Sequence, residues 1–354
     1  MLTVFDILTL NPGSTSTKVV LFRDERKMSS AQFRHDVEEL AACGASIWDQ
    51  FEFRCRAVRE WAGAHVRQLS AVAAIGGLFR PLCGGAYLVN QRMLDDARNH
   101  AQGEHASNLG CALAHSIASG YGCKAYVVDP VSVDEFEPLA RYSGHPAIQR
   151  RSLSHALSIH AIARRAAEQL SVALADARLV IAHLGGGISI APVRGGRIID
   201  VNDASSDGPF SPERTGGLPL QSFIELCFCG DYSKGDMQRL VMGRGGLAAY
   251  LGTNSALEVE RRILEGDEEA RPVYEAMAYQ IAKEIGAMAT VLAGDIDAVV
   301  LAGGLACSPL LVNWIQERVS FIAPVLVFNG EDEMLALAQG VLRVVRGLEQ
   351  ALEY

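Results

Sequence analysis

Asn11-Pro12-Gly13-Ser14-Thr15-Ser16-Thr17-Lys18 is a polar turn set between two apolar runs, Phe5 to Leu10 and Lys18 to Phe22. Short apolar runs flanking a Pro/Gly/Ser cluster read as strand, turn, strand. The pattern returns 174 positions later: Leu179 to Leu184, then Gly185-Gly186-Gly187, then Ile188 to Val193, a Gly195-Gly196 turn, and Arg197 to Val201. Two hairpins of one design therefore open two halves of the chain.

Outward from the hairpins, Ser152 to Leu174 carries Leu153, Leu157, Ile162 and Leu170 broadly at helical spacing among many alanines. This predicts a helix that closes the first half. Pro272 to Leu292 (Val273, Met277, Ile281, Ile285, Met288) predicts a long helix, ended by Gly294-Asp295 before a strand at Ala298 to Leu301. Met334 to Leu352 predicts a last amphipathic helix. Helices alternating with strands in each half define an α/β fold rather than an all-β sandwich. The expected lobes are 1–175 and 176–354, with the C-terminal helix either staying in the second or returning to the first. Facing turns on two such lobes would make a cleft that closes on a ligand.

A chain of 354 residues is too long for one ordinary core and fits two domains. Its 49% hydrophobic and 21% charged content is that of a packed globular protein. A formal charge of -9 argues against nucleic acid or an anionic membrane as the main partner. Met1 to Asp6 has no basic stretch, and the apolar runs fall well short of the ~20 residues that span a bilayer, so a cytoplasmic protein is expected. The eight cysteines (43, 55, 83, 111, 123, 227, 229, 307) show neither Cys-x-x-Cys nor zinc-type spacing, and are expected to be reduced core thiols.

The turn at 11–18 gathers one amide, four hydroxyls and one ammonium, a set that can aim N–H groups, hydroxyls and a cation at phosphate. The same residues also build ordinary polar hairpins. No Walker A pattern occurs in the chain. In His183-Leu184-Gly185-Gly186-Gly187-Ile188-Ser189, three glycines either let backbone approach a bulky anion or simply make a strained turn. Two such turns at equivalent places weigh more than either alone. Gly303-Gly304, after a strand and before a helix opened by Pro309, suits a base and ribose or a plain tight turn. Arg80 and Arg214 stand in Gly/Pro-framed loops, which hold a guanidinium for bidentate contact with an anion, although most arginines are solvated surface groups. Asp129, at a strand end before Pro130, suits magnesium or caps a turn. Glu331-Asp332-Glu333 precedes the last helix, where acidic residues also complement the helix dipole. His105 and His155 lie on stretches read as helical.

Together these motifs resemble the family of acetate and butyrate kinases, within the group of sugar kinases, heat-shock ATPases and actin. The likeness runs nearly end to end: Asn11 to Lys18, Phe79-Arg80-Pro81-Leu82, His105-Ala-Ser-Asn-Leu-Gly110, Val127-Val-Asp129-Pro130, His183 to Ser189, Gly208 to Arg214 and Gly266 to Met277. Length and Asn-Pro-Gly in place of Asn-Ala-Gly are similar to the butyrate branch, and Gly186 stands where acetate kinases carry Asn. The resemblance implies two ribonuclease-H-like, actin-like ATPase lobes around a nucleotide cleft. It implies reversible transfer of phosphate from ATP, with Mg2+, to butyrate or a similar short-chain or branched acid, with acetate, propionate or isobutyrate as alternative substrates. Asn11, Ser14, Ser16 and Lys18 would line the phosphates, Gly185 to Gly187 would meet ATP, and Gly303 and Gly304 would face adenosine. Arg80 and Arg214 would grip the carboxylate and the moving phosphoryl group, His155 and His183 would donate hydrogen bonds, and Asp129 with Glu333 would organise the metal. A homodimer or larger homo-oligomer is implied as well. A nucleotide-switched binding protein of the actin or heat-shock kind is the competing class.

Overall fold

The opening hairpin forms with a tighter turn than its composition suggests. β1 (Asp6–Pro12) and β2 (Ser16–Arg23) pair antiparallel up to Asn11 with Lys18 and Pro12 with Thr17, so only Gly13 to Ser16 lie outside their ladder. The computed structural model describes residues 4–330 and 332–354, in two units: one contains 4–134 and 332–354, the other begins at 135.

In the first unit β3 (Arg26–Arg34) continues the meander, followed by α1 (Val37–Ala42) and α2 (Phe51–His65). β4 (Ala71–Ile75), β5 (Ala86–Leu88), α3 (Gln91–Arg98), α4 (Leu109–Tyr121) and β6 (Lys124–Val128) complete its N-terminal part. β4 runs parallel to β1, and β6 parallel to β4. Ala71 to Ala74 are fully buried, as expected of parallel strands covered on both faces, one of them by α4.

The second unit holds α5 (Ala156–Leu170), β7 (Arg178–Leu184), β8 (Ile188–Arg194), β9 (Arg197–Ile198), α6 (Leu220–Phe228), α7 (Lys234–Val241) and α8 (Gly246–Leu251). It continues with α9 (Ala256–Leu264), α10 (Ala270–Val291), β10 (Ala298–Gly303), α11 (Pro309–Val319) and β11 (Val325–Asn329). Val180, Ala182 and Leu184 of β7 share a core with Tyr274, Met277, Ile281 and Ile285 of α10, which recur every three or four residues. The chain then returns to the first unit as α12 (Glu333–Val345) and β12 (Leu352–Glu353).

The first sheet has the order β12-β5-β6-β4-β1-β2-β3 and the second β11-β10-β7-β8-β9. β3-β2-β1-β4-β6 and β9-β8-β7-β10-β11 match strand for strand, with two antiparallel and two parallel pairings in each. This is a duplicated α/β fold.

The structure corrects several expectations. The division falls at 134, not 175, because the crossing segment bonds to the second sheet. Glu135 accepts the Ile198 N–H at 2.8 Å, Arg150 pairs with Asp200 at 2.9 Å, and α5 packs on β7 and β9. The helix expected over Ser152 to Leu174 is the shorter α5, and His155 precedes it. α12 buries Leu337 and Val341 against β1, β4 and β6, and is followed by Gly347 at φ +73° rather than continuing to Leu352. Only Cys55 and Cys111 are buried among the eight thiols; Cys83, Cys229 and Cys307 are exposed. Burial pushes the Cys111 thiol up to about 12.

Candidate active site

In the first unit the polar turn is held from beneath by Arg54 of α2, whose side chain is completely buried. Its Nη1 donates to the carbonyls of Gly13 (2.8 Å) and Ser16 (3.0 Å) and approaches Thr17 Oγ1 (3.2 Å). Its Nη2 donates to the Ser14 carbonyl at 2.9 Å, and Nη2 and Nε both reach Gln50 Oε1. Every one of these acceptors is neutral, and burial accordingly lowers the Arg54 pKa. His35 Nε2 meets Thr17 Oγ1 at 2.9 Å, and its pKa is lowered, chiefly by burial and then by Arg54. Ser14, Thr15 and Lys18 are exposed on the turn.

Asn11 links this turn to the returning helix: its amide donates to Glu333 Oε2 at 2.9 Å. Glu331 lies outside the described residues, and Asp332 caps α12 by accepting from the Met334 and Leu335 N–H groups. Asp129 is buried just past β6 at φ +40°, a region unusual for a non-glycine residue and often tied to function. It clamps Gly85, accepting its N–H on Oδ1 (2.7 Å) and donating its own N–H to the Gly85 carbonyl (3.0 Å). Asn11 and Asp129 share the C-terminal edge of parallel strands, separated by β4 and so by two strand spacings, about 10 Å.

Arg80 is bidentate to Asp96, with Nε–Oδ2 2.6 Å and Nη2–Oδ1 3.0 Å. Tyr354 completes this contact, donating its hydroxyl proton to Asp96 and accepting the Arg80 backbone N–H. The Asp96 hydrogen bond and charge raise the Arg80 pKa, and Arg80 in turn holds the Asp96 carboxyl low.

The second unit concentrates the other predicted residues. The rings of His155 and His183 stack with centroids 4.2 Å apart, and His155 Nδ1 lies 2.9 Å from Ser189 Oγ. His155 keeps a rim of accessible surface, yet its ring is surrounded by protein. Burial, then His183 and Arg214, hold its pKa well below the usual histidine value, so it serves as a neutral hydrogen-bonding group. Arg214 lies against the glycine turn: a Cβ on Gly187 would sit 2.5 Å from its Nη1. Nη1 donates to the Ala204 carbonyl at 2.9 Å, and the buried Nε has no hydrogen-bond partner. Burial lowers the Arg214 pKa against the opposing pull of Glu213 and Asp203, but guanidinium stays protonated. The site thus holds a desolvated cation with an unused donor, which is what an incoming anion can satisfy. Gly186 is exposed at the tip, and its carbonyl accepts from Ser211 Oγ at 2.5 Å.

Gly303 is explained by packing, since at φ +93° a Cβ would lie 2.5 Å from the Leu184 carbonyl of β7. Gly304 is exposed, with open space where a side chain would be. His105 is not helical; it caps a short turn through Ser107.

The His155 environment has a pH signature. An unfolded histidine titrates near 6.5, so below that value the unfolded chain takes up a proton that folded His155 refuses. Its contribution to stability is whole above about pH 6.5 and is lost as the pH falls, by at most about 1.4 kcal/mol per pH unit. His155→Asn, whose amide can replace Nδ1 towards Ser189, is expected to flatten the urea-unfolding free energy between about pH 6.5 and 5. Parallel curves for variant and parent would refute this.

A polar turn on one sheet and, on its repeat, a glycine turn backed by a buried guanidinium thus stand at matching places of a duplicated α/β fold. The profile described as the acetokinase family matches residues 140–318. Butyrate kinase 2 of Clostridium acetobutylicum is 47% identical over 354 residues, covering 99% of each chain. A probable butyrate kinase 2 of Caldanaerobacter subterraneus subsp. tengcongensis is 48% identical over 349 residues, covering 98% of each. The chain belongs to the acetokinase family. Porphyromonas gingivalis acetate kinase superposes with a TM-score of 0.77 at 16% identity, over 96% of this chain and 100% of that one. A propionate kinase from Francisella tularensis gives 0.78 at 17%, over 95% and 98%; both show the shared fold.

Arg54, Asp96, Tyr354 and Ser211 were not singled out by the sequence reading. For Arg54 a signal existed: helical periodicity puts it on one face with Cys55, Val58 and Ala62, all buried.

Proposed function

We propose that this protein transfers the γ-phosphoryl group of ATP reversibly to the carboxylate of butyrate or a similar short-chain or branched acid. The observation that carries the reading is likeness to butyrate kinases at 47% and 48% identity through both units, not one alone. A carboxylate, with a pKa of about 4 to 5, is ionised at neutral pH and needs no general base. Its oxygen forms a bond to the γ-phosphorus as the bond to the ADP oxygen breaks. The protein's task is to align two anions and to meet charge on the equatorial oxygens.

In this reading Asn11, Ser14, Ser16 and Lys18 hold phosphates from the first unit. Gly185, Gly186 and Gly187 admit phosphate from the second, with His155 and His183 as hydrogen-bonding groups and Gly304 open towards the nucleoside. Arg214 uses its vacant Nε on the transferring group, and Arg80 offers the edge not taken by Asp96 to the acyl carboxylate. Asp129 and Glu333 supply hard oxygen donors, which fit Mg2+, an ion that keeps waters and phosphate oxygens in its shell. Among the described residues no group of three or more His, Cys, Asp or Glu could hold a metal alone, in keeping with a metal that arrives with the nucleotide. Bound Mg2+ would neutralise β- and γ-phosphate oxygens. No helix among the described residues is long and apolar enough to cross a membrane. A cytoplasmic homodimer or larger homo-oligomer completes the reading.

The test is trapping of acyl phosphate with hydroxylamine across acetate, propionate, butyrate and isobutyrate. The highest kcat/KM is expected for a four-carbon acid. A preference for acetate would overturn the substrate, and ATP binding without any hydroxamate would favour a nucleotide-switched binding protein.

A further inference from the structure

We infer that Arg54, which touches no substrate, is the positioning residue that sets the polar turn in its phosphate-facing shape. The inference rests on the assignment of that turn to phosphate. Three of the turn's carbonyls, on Gly13, Ser14 and Ser16, converge on one guanidinium at 2.8 to 3.0 Å. Among the described residues no peptide bond is cis, and in a trans peptide the N–H points opposite to the preceding carbonyl. Drawing the Gly13 and Ser14 carbonyls down onto Arg54 therefore turns the Ser14 and Thr15 N–H groups away from the guanidinium, in a stretch where both residues are exposed. Without the guanidinium, those carbonyls would be free to rotate outward and set acceptors where an anion is to bind.

The fork itself is aimed. Gln50, one helical turn before Arg54, accepts from both Nε (3.1 Å) and Nη2 (2.8 Å), which fixes the plane of the guanidinium beneath the turn. His35 closes the far side through Thr17 Oγ1, at 2.9 Å. A buried cation surrounded only by neutral acceptors is costly to maintain, and its use here is geometric: a planar fork reaches several carbonyls that an ammonium cannot serve together.

The experiment compares kcat and KM for ATP and for the carboxylate in Arg54→Lys, Lys18→Ala and Val58→Ala, with melting curves for each. Val58, fully buried one turn further along α2, reports loss of core packing without loss of the carbonyl clamp. Arg54→Lys is expected to lower kcat/KM for ATP by about 100-fold, the scale of a 1 Å misplacement, with KM for the carboxylate little changed. Val58→Ala is expected to melt earlier yet keep its kinetics below its melting point. Near-normal ATP kinetics in a folded Arg54→Lys protein would overturn the inference, and so would an equal kinetic loss in Val58→Ala. If Lys18→Ala is impaired while Arg54→Lys is not, only the role of Arg54 falls. If Lys18→Ala is unaffected, the phosphate assignment of the turn falls, and the inference with it. Should Arg54→Lys fail to fold, Gln50→Leu, which keeps the guanidinium but removes its aim, is expected to show the same ATP-selective loss, and unchanged ATP kinetics would overturn the inference.

Discussion

Replacing Arg214 by alanine is expected to lower kcat for acyl phosphate formation by about 10³-fold or more, equivalent to at least about 4 kcal/mol of transition-state stabilisation. The reason is the state in which the fold keeps this side chain. It is desolvated, bonded to the Ala204 carbonyl through Nη1, and its buried Nε has no partner. Such a donor is poorly used in the resting protein and fully used when a planar anion meets it, so its interaction strengthens towards the transition state. Stability should hold or rise, because a desolvated cation with an unpartnered donor leaves with the side chain. Lysine should restore little, since an ammonium lacks the planar fork. Initial rates by hydroxylamine trapping, read beside a melting curve, decide the matter. A variant that melts normally and turns over within tenfold of the parent would remove Arg214 from the chemistry.

Gly187→Ala should lower kcat by about 100-fold, while Gly186→Ala, one residue away, should act through KM for ATP and change kcat by less than about threefold. A methyl on Gly187 would lie 2.5 Å from Arg214 Nη1 and 2.7 Å from its Cζ. What must yield is the far end of a flexible side chain, so the protein should fold with the guanidinium displaced by about 1 Å, a shift of the size that can cost 100-fold in rate. A methyl on Gly186 would meet nothing closer than Glu213 Oε1 at 3.8 Å, an ordinary contact. The contrast separates a general intolerance of the glycine turn from displacement of one cation. Equal effects at the two positions would show that Arg214 is not the target.

The repeated hairpin made the duplicated α/β fold legible, because a polar or glycine turn between apolar strands is a local signal. What it did not show was where the units divide. That depends on Glu135 and Arg150 bonding to β9 and its flank, contacts made across fifty or more residues, which no local periodicity reports. At the site, Arg214 and Gly187 were legible from their loops and His155 and His183 only through the family resemblance, and the four lie together in the second unit. Gly303 was legible as a special glycine but is explained by its approach to Leu184. Arg54 was passed over because a charged residue on an apolar helix face is normally assigned to solvent.

The return of α12 to the first sheet has a consequence for synthesis on the ribosome. The second unit is continuous in the chain, whereas the first lacks the helix that covers β1, β4 and β6 until roughly 200 residues after position 134 have been made. At 5 to 20 residues per second that is a delay of about 10 to 40 s. The unit that starts first is thus finished last, and a nascent chain halted before residue 332 would carry an uncovered apolar sheet that invites chaperones or aggregation.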